Sequence, residues 1–389
     1  MRILFYYYAG GGGGLSNIIV LLNSIARCHP EVSIQIVTSP RVSFGILEEA
    51  PNVRINRMRI TGIQEVDRFL IGSFVLPRMA SAVNQDILWS INLGCYFRIP
   101  LPTVLSVHNA HQVYPWAVTR THPRQRWRVA VLRWFFRRSL RCSDAVIVQT
   151  AIMGNAVRGI GGAPTEICIA PKAVERECDV EAKPLTRAIA DALDGGMGRE
   201  TFTFLYVATW EPHKNHAILI RAFSKLARKN VRVRVVVTIS AEELLSAGWP
   251  ETEFLIGRGY VSPVGWVEKA QVRDLYARCD ACLMPSVLES LSSAHIEAMQ
   301  WGKPQVTVDL PYAHDLCGAA ALYAGGDDCD AWVRGVERIM QEEPVRSQLR
   351  KAGYERMAHF PASWDDASQR VFSCLDKVRR LVNARGGEG

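Results

Sequence analysis

The residues best suited to chemistry lie in one segment of the second half of the chain, from Pro285 to Pro304. Its pattern predicts a strand, a loop that carries Glu289 and several serines, and a helix that begins near Ser293 and carries Glu297. Backbone N–H groups at the start of such a helix bind anions, while two carboxylates about two turns apart accept hydrogen bonds from hydroxyl groups. Because carboxylates repel a bare phosphate, the segment predicts a ligand with hydroxyl groups on both sides of its phosphates, such as a nucleoside-diphosphate sugar.

A run of five glycines, Gly10 to Gly14, precedes a helical pattern that begins at Leu15. Glycine permits positive φ and lets a phosphate or a sugar approach the N–H groups at a helix N-terminus. A dinucleotide-binding fingerprint is not present, because Leu15 takes its third glycine position and the second strand ends in Val37-Thr38-Ser39 without a carboxylate. A merely tight turn is the alternative to ligand binding. The candidate ligand-binding residues are Gly11, Gly12, Gly13 and Gly14.

An arginine-rich segment from Arg124 to Arg141 is the third candidate. Helical spacing gives it two apolar stripes, of which one can face the core. The other stripe, interleaved with arginines, suits the headgroup layer of an anionic membrane. Burial of both stripes and nucleic-acid binding are the alternatives. The candidate membrane or acceptor surface consists of Arg124, Arg126, Trp127, Arg128, Arg133, Trp134, Arg137 and Arg138.

Length and composition fit a globular protein of two domains. The chain has 389 residues, of which 48% are hydrophobic and 22% charged, and these values exclude disordered, collagen-like and coiled-coil proteins. No apolar run approaches the ~18–20 residues of a membrane-spanning helix, so polytopic membrane proteins are excluded as well. The apolar opening, Ile3 to Ala9, is followed by glycines rather than by a cleavage site, and we interpret it as a buried strand of a cytoplasmic protein.

The net charge of +8 belongs to the first half of the chain. Residues 1–172 contain 19 Lys and Arg against 8 Asp and Glu, and eight of the arginines lie between Arg120 and Arg141. Such a patch suits nucleic acid, anionic lipid or a phosphorylated substrate, with a solvated basic helix as the alternative. The ten cysteines show no disulfide framework. For the close pair Cys279 and Cys282 we expect burial as reduced thiols rather than a zinc site.

Short runs rich in Val, Ile, Leu and Phe alternate with helical patterns, as is typical of parallel sheets that are buried on both faces. The sequence therefore predicts an α/β protein with two Rossmann-like, doubly wound parallel-sheet domains, residues 1–172 and 200–360, joined by a linker at 173–199. Ligands of such sheets bind at the carboxyl ends of the strands, so we expect a central cleft between facing domains. The predicted strands are Ile3 to Tyr8, Ser33 to Thr38, Val104 to His108, Ala145 to Gln149, Phe202 to Ala208, Val231 to Ile239, Ala281 to Pro285 and Gln305 to Val308.

The segment Pro285 to Pro304 resembles the C-terminal signature of retaining GT-B glycosyltransferases of family four, the glycosyl transferases group 1. The resemblance extends through most of the chain, and each piece alone is short. It includes Tyr206 to Asn215 around Lys214, Val264 to Val267 with Leu275-Tyr276, Val107-His108-Asn109, the hinge-like Ala170 to Val174, and Trp364 at the start of a last helix. The resemblance implies that the first domain, 1–172, lies on the acceptor side and that the second, 200–360, binds the nucleotide sugar. In this family the last helix, here within 361–389, crosses back onto the first domain.

The resemblance implies a role for each matched residue. Glu297 would bind the ribose of the nucleotide, Glu289 the donor hexose and Lys214 the diphosphate, which is the leaving group. Ser290, Leu291, Ser292 and Ser293 would supply backbone N–H groups, the glycine run would contact the donor, and His108 would face the sugar. The family often has an arginine shortly before its lysine and glycines after its first glutamate; here Ala208, Thr209, Ser290 and Ser292 stand there.

The expected activity is transfer of a hexose, with retention, from a nucleotide sugar to a saccharide or polyprenyl-linked saccharide acceptor in bacterial surface polysaccharide assembly. We expect no metal or other cofactor, no nucleic-acid partner, and a location in the cytoplasm or at the inner face of its membrane. The alternatives are a GT-B-shaped sugar-nucleotide epimerase or sugar phosphorylase, and a non-enzymatic lipid or nucleic-acid binder. For single residues the alternatives are a solvated helix face for the glutamates, surface charge for Lys214 and a core histidine for His108.

Overall fold

A computed structural model describes residues 1–8, 13–82, 85–114, 126–164, 166–173, 183–194 and 201–386. The chain divides into two compact units, Met1–Ala173 together with Pro361–Gly389, and Val174–Phe360. Each unit has a parallel sheet covered by helices. Elements are numbered along the chain.

The sheet of the first unit has seven parallel strands among the described residues, in the spatial order β3-β2-β1-β4-β5-β6-β7. The strands are β1 (Arg2–Tyr7), β2 (Ser33–Thr38), β3 (Val53–Arg57), β4 (Ile87–Ile91), β5 (Thr103–Val107), β6 (Ala145–Val148) and β7 (Glu166–Ile169). Its helices are α1 (Gly13–Cys28), α2 (Gln64–Leu70), the π-helical turn Ile71–Val75, α3 (Leu76–Ala82), α4 (Ala110–Val113), α5 (Arg126–Arg141), α6 (Ala151–Arg158) and α16 (Trp364–Gly386), with a 3₁₀ turn at Gly45–Glu49.

The burial of both faces of strand β1 explains why its sequence is apolar at every position rather than alternating. Ile3 and Phe5 pack into a core that includes side chains of α1 and α16, while Leu4 and Tyr6 pack on the opposite face with Ile71. Successive side chains of a strand point to opposite faces, so a strand that is covered on both sides must be apolar at every position.

The sheet of the second unit has six parallel strands among the described residues, in the order β10-β9-β8-β11-β12-β13. They are β8 (Phe202–Tyr206), β9 (Val233–Val237), β10 (Val261–Pro263), β11 (Ala281–Met284), β12 (Gln305–Val308) and β13 (Ala321–Ala324). The helices are α7 (Arg187–Asp194), α8 (His216–Arg228), α9 (Ala241–Ser246), α10 (Thr252–Gly257), α11 (Lys269–Arg278), α12 (Ser293–Gln300), α13 (Pro311–Cys317), α14 (Cys329–Gln341) and α15 (Glu343–Met357), with a 3₁₀ turn at Pro212–Lys214.

Both sheets have the same winding, and each has a point where the strand order reverses. The point lies between β1 and β4 in the first sheet and between β8 and β11 in the second. In doubly wound sheets, helices leave the two strands at this point toward opposite faces, so a crevice opens at their carboxyl ends and ligands bind there. Ligand-binding residues are therefore expected directly after these four strands.

The predicted pair of doubly wound parallel sheets is confirmed. The sequence did not predict β3, β4, β7, β10 or β13. Within the stretch 173–199 that the sequence predicts as a linker, the structure has helix α7, and its Ile189 and Leu193 are buried in the core of the second unit. In the described part of the chain, every helix is too short or too polar to cross a membrane.

Candidate functional site

The residues after β8 hold Lys214 in a fixed backbone position. The 3₁₀ turn Pro212–Lys214 follows this strand, and the Tyr206 hydroxyl donates a hydrogen bond of 2.8 Å to the Lys214 carbonyl. Asn215 then adopts φ 55°, in the left-handed region, and its Nδ2 donates to the carbonyl of Gly326 over 2.9 Å. The backbone of Lys214 is thus held by two neighbouring segments, and its side chain remains mostly buried.

The loop after β11 is tied to the same turn. The backbone N–H of Val287 donates to the His213 carbonyl over 2.8 Å, and the Ser286 hydroxyl donates to the same oxygen over 3.3 Å. The Tyr312 hydroxyl in turn donates to the Ser286 carbonyl over 2.5 Å. These bonds place the loop that carries Glu289 against the turn that carries Lys214, although the two residues are far apart in sequence.

Lys214 and Glu289 form an ion pair at this point. The Lys214 Nζ donates to Glu289 Oε1 over 2.6 Å, and the side chains are 19% and 13% exposed. Burial alone would raise the pKa of the Glu289 carboxyl, but the Lys214 ammonium and the hydrogen bonds from Lys214 and Ser286 outweigh it and hold this pKa below its ordinary value. The site therefore presents a fixed ammonium beside an ionised carboxylate at the strand reversal of the second sheet.

Helix α12 begins directly after this loop, near Ser293 as the sequence predicts. Its N-cap residue is Ser292, yet no side chain caps the helix, so the first N–H groups of α12 remain available to a ligand. Leu291 and Ser292 are buried, while Ser290 and Ser293 are partly exposed. An uncapped helix N-terminus close to an ammonium group is suited to bind an anion.

The end of α12 explains the Gly-Lys-Pro sequence. Gly302 has φ 58°; its N–H donates to the Met299 carbonyl over 3.0 Å, and the N–H of Lys303 donates to the Ala298 carbonyl over 2.7 Å. This pair of bonds is the Schellman arrangement, which requires a left-handed residue that glycine supplies at low cost. The C-terminus of α12 is therefore fixed at Gly302.

Glu297 lies within α12 and is held by a buried tyrosine. The Tyr276 hydroxyl donates to Glu297 Oε2 over 3.2 Å, and the Tyr276 ring lies parallel to that of Trp301 with centroids 6.5 Å apart. Burial raises the pKa of Tyr276 well above its ordinary range, and the Glu297 charge adds to this effect. A tyrosine that stays protonated keeps its one O–H donor, for which Glu297 and the Ala294 carbonyl, at 3.3 Å, are both acceptors.

His295 was not singled out by the sequence analysis. It is 1% exposed, and its Nε2 is hydrogen-bonded to Thr307 Oγ1 at 2.8 Å. Burial lowers the pKa of His295 to about 4, with smaller opposing contributions from the charges of Glu289 and Lys214. The only sequence signal is a histidine between the two glutamates in an otherwise apolar helix start, which alone does not distinguish a functional residue from a core residue.

Cys279 and Cys282 are free, buried thiols at the end of α11 and in β11, as expected. Burial raises the pKa of Cys279 to about 12. Among the described residues, no three His, Cys, Asp or Glu side chains are grouped as metal ligands. The expectation of a metal-independent reaction stays a prediction.

In the first unit, His108 follows β5 and lines a cavity together with Gln149 and Lys172. Its backbone N–H donates to Asn92 Oδ1 over 2.7 Å. Burial and the Lys172 charge lower the pKa of His108 to about 4, so the imidazole is neutral at pH 7.

In the glycine run, Gly11 and Gly12 lie outside the described residues. Gly13 opens α1, and a Cβ added at Gly14 would meet no described atom within 4 Å.

Helix α5 has one buried and one exposed apolar stripe. Phe136 and Leu140 are fully buried, whereas Trp127 and Trp134 are 68% and 62% exposed. Arg124 lies outside the described residues, and of the other predicted surface residues Arg126, Arg128, Arg137 and Arg138 are at least partly exposed.

Arg133 does not belong to this exposed surface. It is 9% exposed, and its Nη1 donates to the carbonyls of His111 and Tyr114. Its guanidinium therefore anchors the residues around α4, which the sequence pattern did not indicate because an arginine on a helix is normally solvated.

Comparison with known proteins relates most of the second unit to a family. Residues 196–356 match the family Glycosyl transferases group 1. This match covers less than half of the chain. Over 174 residues the chain is 25% identical to the O-antigen chain mannosyltransferase B of Escherichia coli, an alignment that covers 43% of this chain and 44% of that protein. Over 194 residues it is 22% identical to the D-inositol 3-phosphate glycosyltransferase of Corynebacterium diphtheriae, with 48% and 45% covered. The chain thus spans less than half the length of the curated relatives it matches.

The whole chain is similar in structure to solved proteins. Sucrose-phosphate synthase from Thermosynechococcus elongatus aligns with a TM-score of 0.69 and 17% identity over 99% of this chain and all of that one. Anabaena HepE in complex with UDP and glucose aligns with a TM-score of 0.65 and 17% identity over 98% and 99%. At this identity the likeness shows the fold, which is GT-B as the resemblance predicts.

Proposed function

We propose that the chain is a retaining glycosyltransferase of family four, which transfers a hexose from a nucleoside-diphosphate sugar to a saccharide or polyprenyl-linked saccharide acceptor. The observation that carries the proposal is the contact of Lys214 with Glu289 beside the uncapped N-terminus of α12, inside the segment that matches the family Glycosyl transferases group 1. An ammonium group, free helix N–H groups and two carboxylates together match the phosphates and hydroxyls of such a donor.

In this proposal, Lys214 and the N–H groups from Ser290 to Ser293 bind the diphosphate, Glu289 binds the donor hexose, and Glu297 binds the ribose. When the bond between the hexose and the diphosphate breaks, negative charge develops on the departing phosphate. A preorganised ammonium and helix N-terminus stabilise that charge more than they stabilise the bound donor, which is how electrostatic catalysis lowers a barrier. The residues supply this stabilisation themselves, and the proposal therefore includes no metal.

The remaining parts of the proposal rest on the resemblance. His108 and the glycines from Gly11 to Gly14 contact the donor, and the leaving diphosphate takes the acceptor proton on the face from which the hexose leaves, which gives retention. The setting is the assembly of bacterial surface polysaccharide in the cytoplasm or at its membrane. The names of two relatives, the O-antigen mannosyltransferases of Escherichia coli and of Salmonella typhimurium, support this setting.

A thermal-shift screen tests the donor site. UDP, GDP, ADP, CMP and their sugars are added, with EDTA, to the wild type, to Glu297→Gln and to Glu253→Gln, which removes an exposed carboxylate of the same unit. A nucleotide at 100 times its dissociation constant adds ~2.7 kcal/mol of stability. We expect one nucleoside diphosphate to stabilise the wild type and Glu253→Gln, and to stabilise Glu297→Gln far less. Equal stabilisation of all three proteins, or of none, contradicts the proposal.

Turnover assays separate this activity from the alternatives. A transferase consumes the donor only with a saccharide acceptor, whereas a sugar-nucleotide epimerase consumes it without one and a phosphorylase requires inorganic phosphate. A non-enzymatic binder ignores nucleotide sugars altogether. The stereochemistry of the product, read by NMR at the new anomeric carbon, tests retention.

A second proposal concerns the exposed stripe of α5, which we assign to an anionic membrane surface. Trp127 and Trp134 are exposed next to Arg126 and Arg137, and Phe69 of α2, 36% exposed, extends the apolar area. Aromatic side chains that lie among arginines fit the boundary between headgroups and acyl chains.

Co-sedimentation with phosphatidylcholine vesicles, with and without phosphatidylglycerol, tests this surface. The wild type should bind only the anionic vesicles and should dissociate as salt increases. The double variant Trp127→Ser, Trp134→Ser should lose binding. Trp266→Ser, which removes a tryptophan that is 77% exposed in the second unit, should not. Binding that depends on neither anionic lipid nor salt contradicts the proposal.

A further inference from the structure

Two cysteines meet where the last helix packs on the sheet of the first unit. Cys168 lies in β7 and Cys374 lies in α16. Cys168 is buried in the same core as Val371 and Leu375 of α16, and Cys374 packs against this core. Both thiols are free. Two reduced cysteines that are far apart in sequence are therefore held on elements that pack together.

An ion pair beside the cysteines fixes how the strand and the helix align. The Lys377 Nζ donates to Glu166 Oε1 over 2.7 Å. Glu166 and Cys168 alternate with a residue between them in the strand, so their side chains lie on the same face. Cys374 and Lys377 are one helical turn apart and share one side of α16. The ion pair thus places the Cys374 thiol opposite the Cys168 thiol, and the two thiols are hydrogen-bonded.

The surroundings make the two thiols unequal. The Cys168 thiol has one hydrogen, for which Cys374 Sγ and, at 3.8 Å, Glu166 Oε1 are both acceptors. The hydrogen bond from Cys168, together with the Lys377 charge, holds the pKa of Cys374 below its ordinary value, although burial and the Glu166 charge oppose this. The same hydrogen bond and burial raise the pKa of Cys168. Because the thiolate is the reactive form of cysteine, Cys374 is the better nucleophile.

Exposure favours the same order. The Cys374 side chain is partly exposed, whereas Cys168 is 8% exposed. A reagent in solution therefore reaches Cys374 first. An accessible thiol of lowered pKa beside a second, buried thiol is the arrangement found in cysteine pairs that respond to oxidants.

We propose that Cys168 and Cys374 form a modification site for peroxides, which converts them into a disulfide between β7 and α16. The Cys374 thiolate attacks hydrogen peroxide, the O–O bond breaks, and after uptake of one proton the products are the sulfenic acid of Cys374 and water. The Cys168 sulfur then attacks the Cys374 sulfur, the S–O bond breaks, and the hydroxyl leaves as water with the Cys168 proton. The two thiols are oxidised and one peroxide is reduced to two waters, while the sulfurs approach to about 2.05 Å.

The position of the two cysteines in the chain gives this disulfide an effect. The chain leaves the first unit after Ala173 and re-enters it at Pro361, so the disulfide closes a loop that contains the whole second unit. In the reduced protein, α16 is held by non-covalent contacts and the end of the chain can detach by local unfolding. The disulfide prevents this detachment and stabilises the first unit. The reaction needs no nucleotide sugar, so its test is independent of the proposed function.

Peptide mapping of the full chain tests the disulfide. The protein is treated with hydrogen peroxide, the remaining thiols are blocked with N-ethylmaleimide, and the protein is digested with trypsin without reduction. Trypsin cleaves after lysine and arginine, so Cys168 is the single cysteine of peptide 159–172 and Cys374 that of peptide 371–377. Mass spectrometry should detect these two peptides linked to each other, and dithiothreitol should separate them. Absence of the linked peptides from the oxidised wild type overturns the proposal.

Matched variants test the specificity of the link. Cys168→Ser and Cys374→Ser should give no linked peptides. Cys28→Ser, which removes an exposed thiol of α1, should give as much of the linked product as the wild type. Linked products that join Cys28 to either cysteine in place of the pair contradict the proposal.

Dimedone, which labels sulfenic acids, tests the order of the two steps. After peroxide treatment it should label Cys374 in Cys168→Ser, because the second step is blocked, and should leave Cys168 unlabelled in Cys374→Ser. Lys377→Met should slow the labelling of Cys374 about threefold. Lys351→Met, which removes a lysine from another exposed ion pair, should not slow it. Labelling of Cys168 rather than Cys374 overturns the assigned order.

Thermal unfolding tests the effect of the disulfide. Oxidation should raise the midpoint of the wild type by about 5–10 °C, and dithiothreitol should reverse this shift. Peroxide should not raise the midpoint of Cys168→Ser. A wild type that carries the disulfide but unfolds at the same temperature as the reduced protein overturns the stabilising role.

Discussion

The Lys214 ammonium lies 2.6 Å from a carboxylate oxygen of Glu289, and both side chains are mostly buried. Hydrogen bonds among four segments hold this contact in place: the turn after β8, the loop after β11, β8 itself and α13. In a site that receives a diphosphate, such a pair holds the cation in place before the ligand arrives. The ammonium then needs little reorganisation when it contacts phosphate oxygens, which lowers the cost of binding.

Replacement of Lys214 by methionine should destabilise the protein by roughly 2 kcal/mol, because the Glu289 carboxylate would remain mostly buried without its partner. The double variant Lys214→Met, Glu289→Gln should recover most of this loss. Since the pKa of Glu289 lies below its ordinary 4.5, its contribution is present at pH 7 and is lost as the pH falls below about 4.5. Urea unfolding of the wild type, Lys214→Met, Glu289→Gln and the double variant at pH 7 measures the coupling. Additive effects would show that the pair contributes nothing.

The contact between Tyr276 and Glu297 predicts a graded loss of nucleotide affinity. Under the proposed function, Glu297→Gln should weaken binding of the nucleoside diphosphate about tenfold, because a charge-assisted bond to the ribose is lost. Tyr276→Phe leaves the carboxylate in place but releases one oxygen, so it should weaken binding only about threefold. Calorimetric titration measures both, with Tyr260→Phe as a control at another buried tyrosine of the unit. A larger effect of Tyr276→Phe than of Glu297→Gln would reverse the assigned roles.

The sequence predicted the second unit's site better than the first unit's, for a physical reason. Strand β11, its loop and helix α12 are consecutive, so the apolar run, the serines and Gly302 indicate them locally. The sequence analysis did not predict the contact of Lys214 with Glu289, and only the resemblance assigned both residues to the donor. The strands that precede them, β8 and β11, are neighbours in the sheet but not in sequence.

In the first unit, the sequence analysis did not identify β4, a five-residue strand between more polar stretches. Without β4, the sequence does not indicate where the strand order of the first sheet reverses. The sequence does not indicate the burial of Arg133 either, since it depends on how α4 packs against α5. Composition and periodicity indicate which faces of helices and strands are apolar. Polar residues that are buried against this pattern are determined by tertiary packing.

Three buried histidines predict that the protein loses stability as the pH falls from 6.5 to 4. Burial lowers the pKa of His216 to about 3 and those of His108 and His295 to about 4, from an ordinary 6.5. Between pH 6.5 and 4 the unfolded chain therefore binds more protons than the folded one, so stability falls as the pH falls. Each histidine contributes a slope of up to ~1.4 kcal/mol per pH unit.

His216→Phe isolates one of these contributions. The histidine packs against Tyr206 and Trp210, with ring centroids 5.1 and 5.4 Å away, so an aromatic replacement keeps the contacts. The free energy of unfolding from urea titrations, compared between pH 7 and pH 5, should decrease less in this variant than in the wild type. An unchanged decrease would show that His216 takes up its proton in the folded state.

We predict that replacement of Gly302 destabilises the protein through backbone conformation rather than through crowding. Its φ of 58° is unfavourable for alanine, and an added Cβ would also lie 2.2 Å from the Tyr354 hydroxyl oxygen. The Tyr354 side chain is 57% exposed and can turn away into solvent, so the steric part is small. Gly302→Ala should therefore destabilise the protein by about 1–2 kcal/mol in urea unfolding, and by nearly the same amount when Tyr354 is replaced by alanine.

Gly257→Ala, at a helical position with nothing within 4 Å of the new Cβ, should be neutral or slightly stabilising. If removal of Tyr354 abolished the cost of Gly302→Ala, crowding rather than φ would be the reason that α12 ends in glycine.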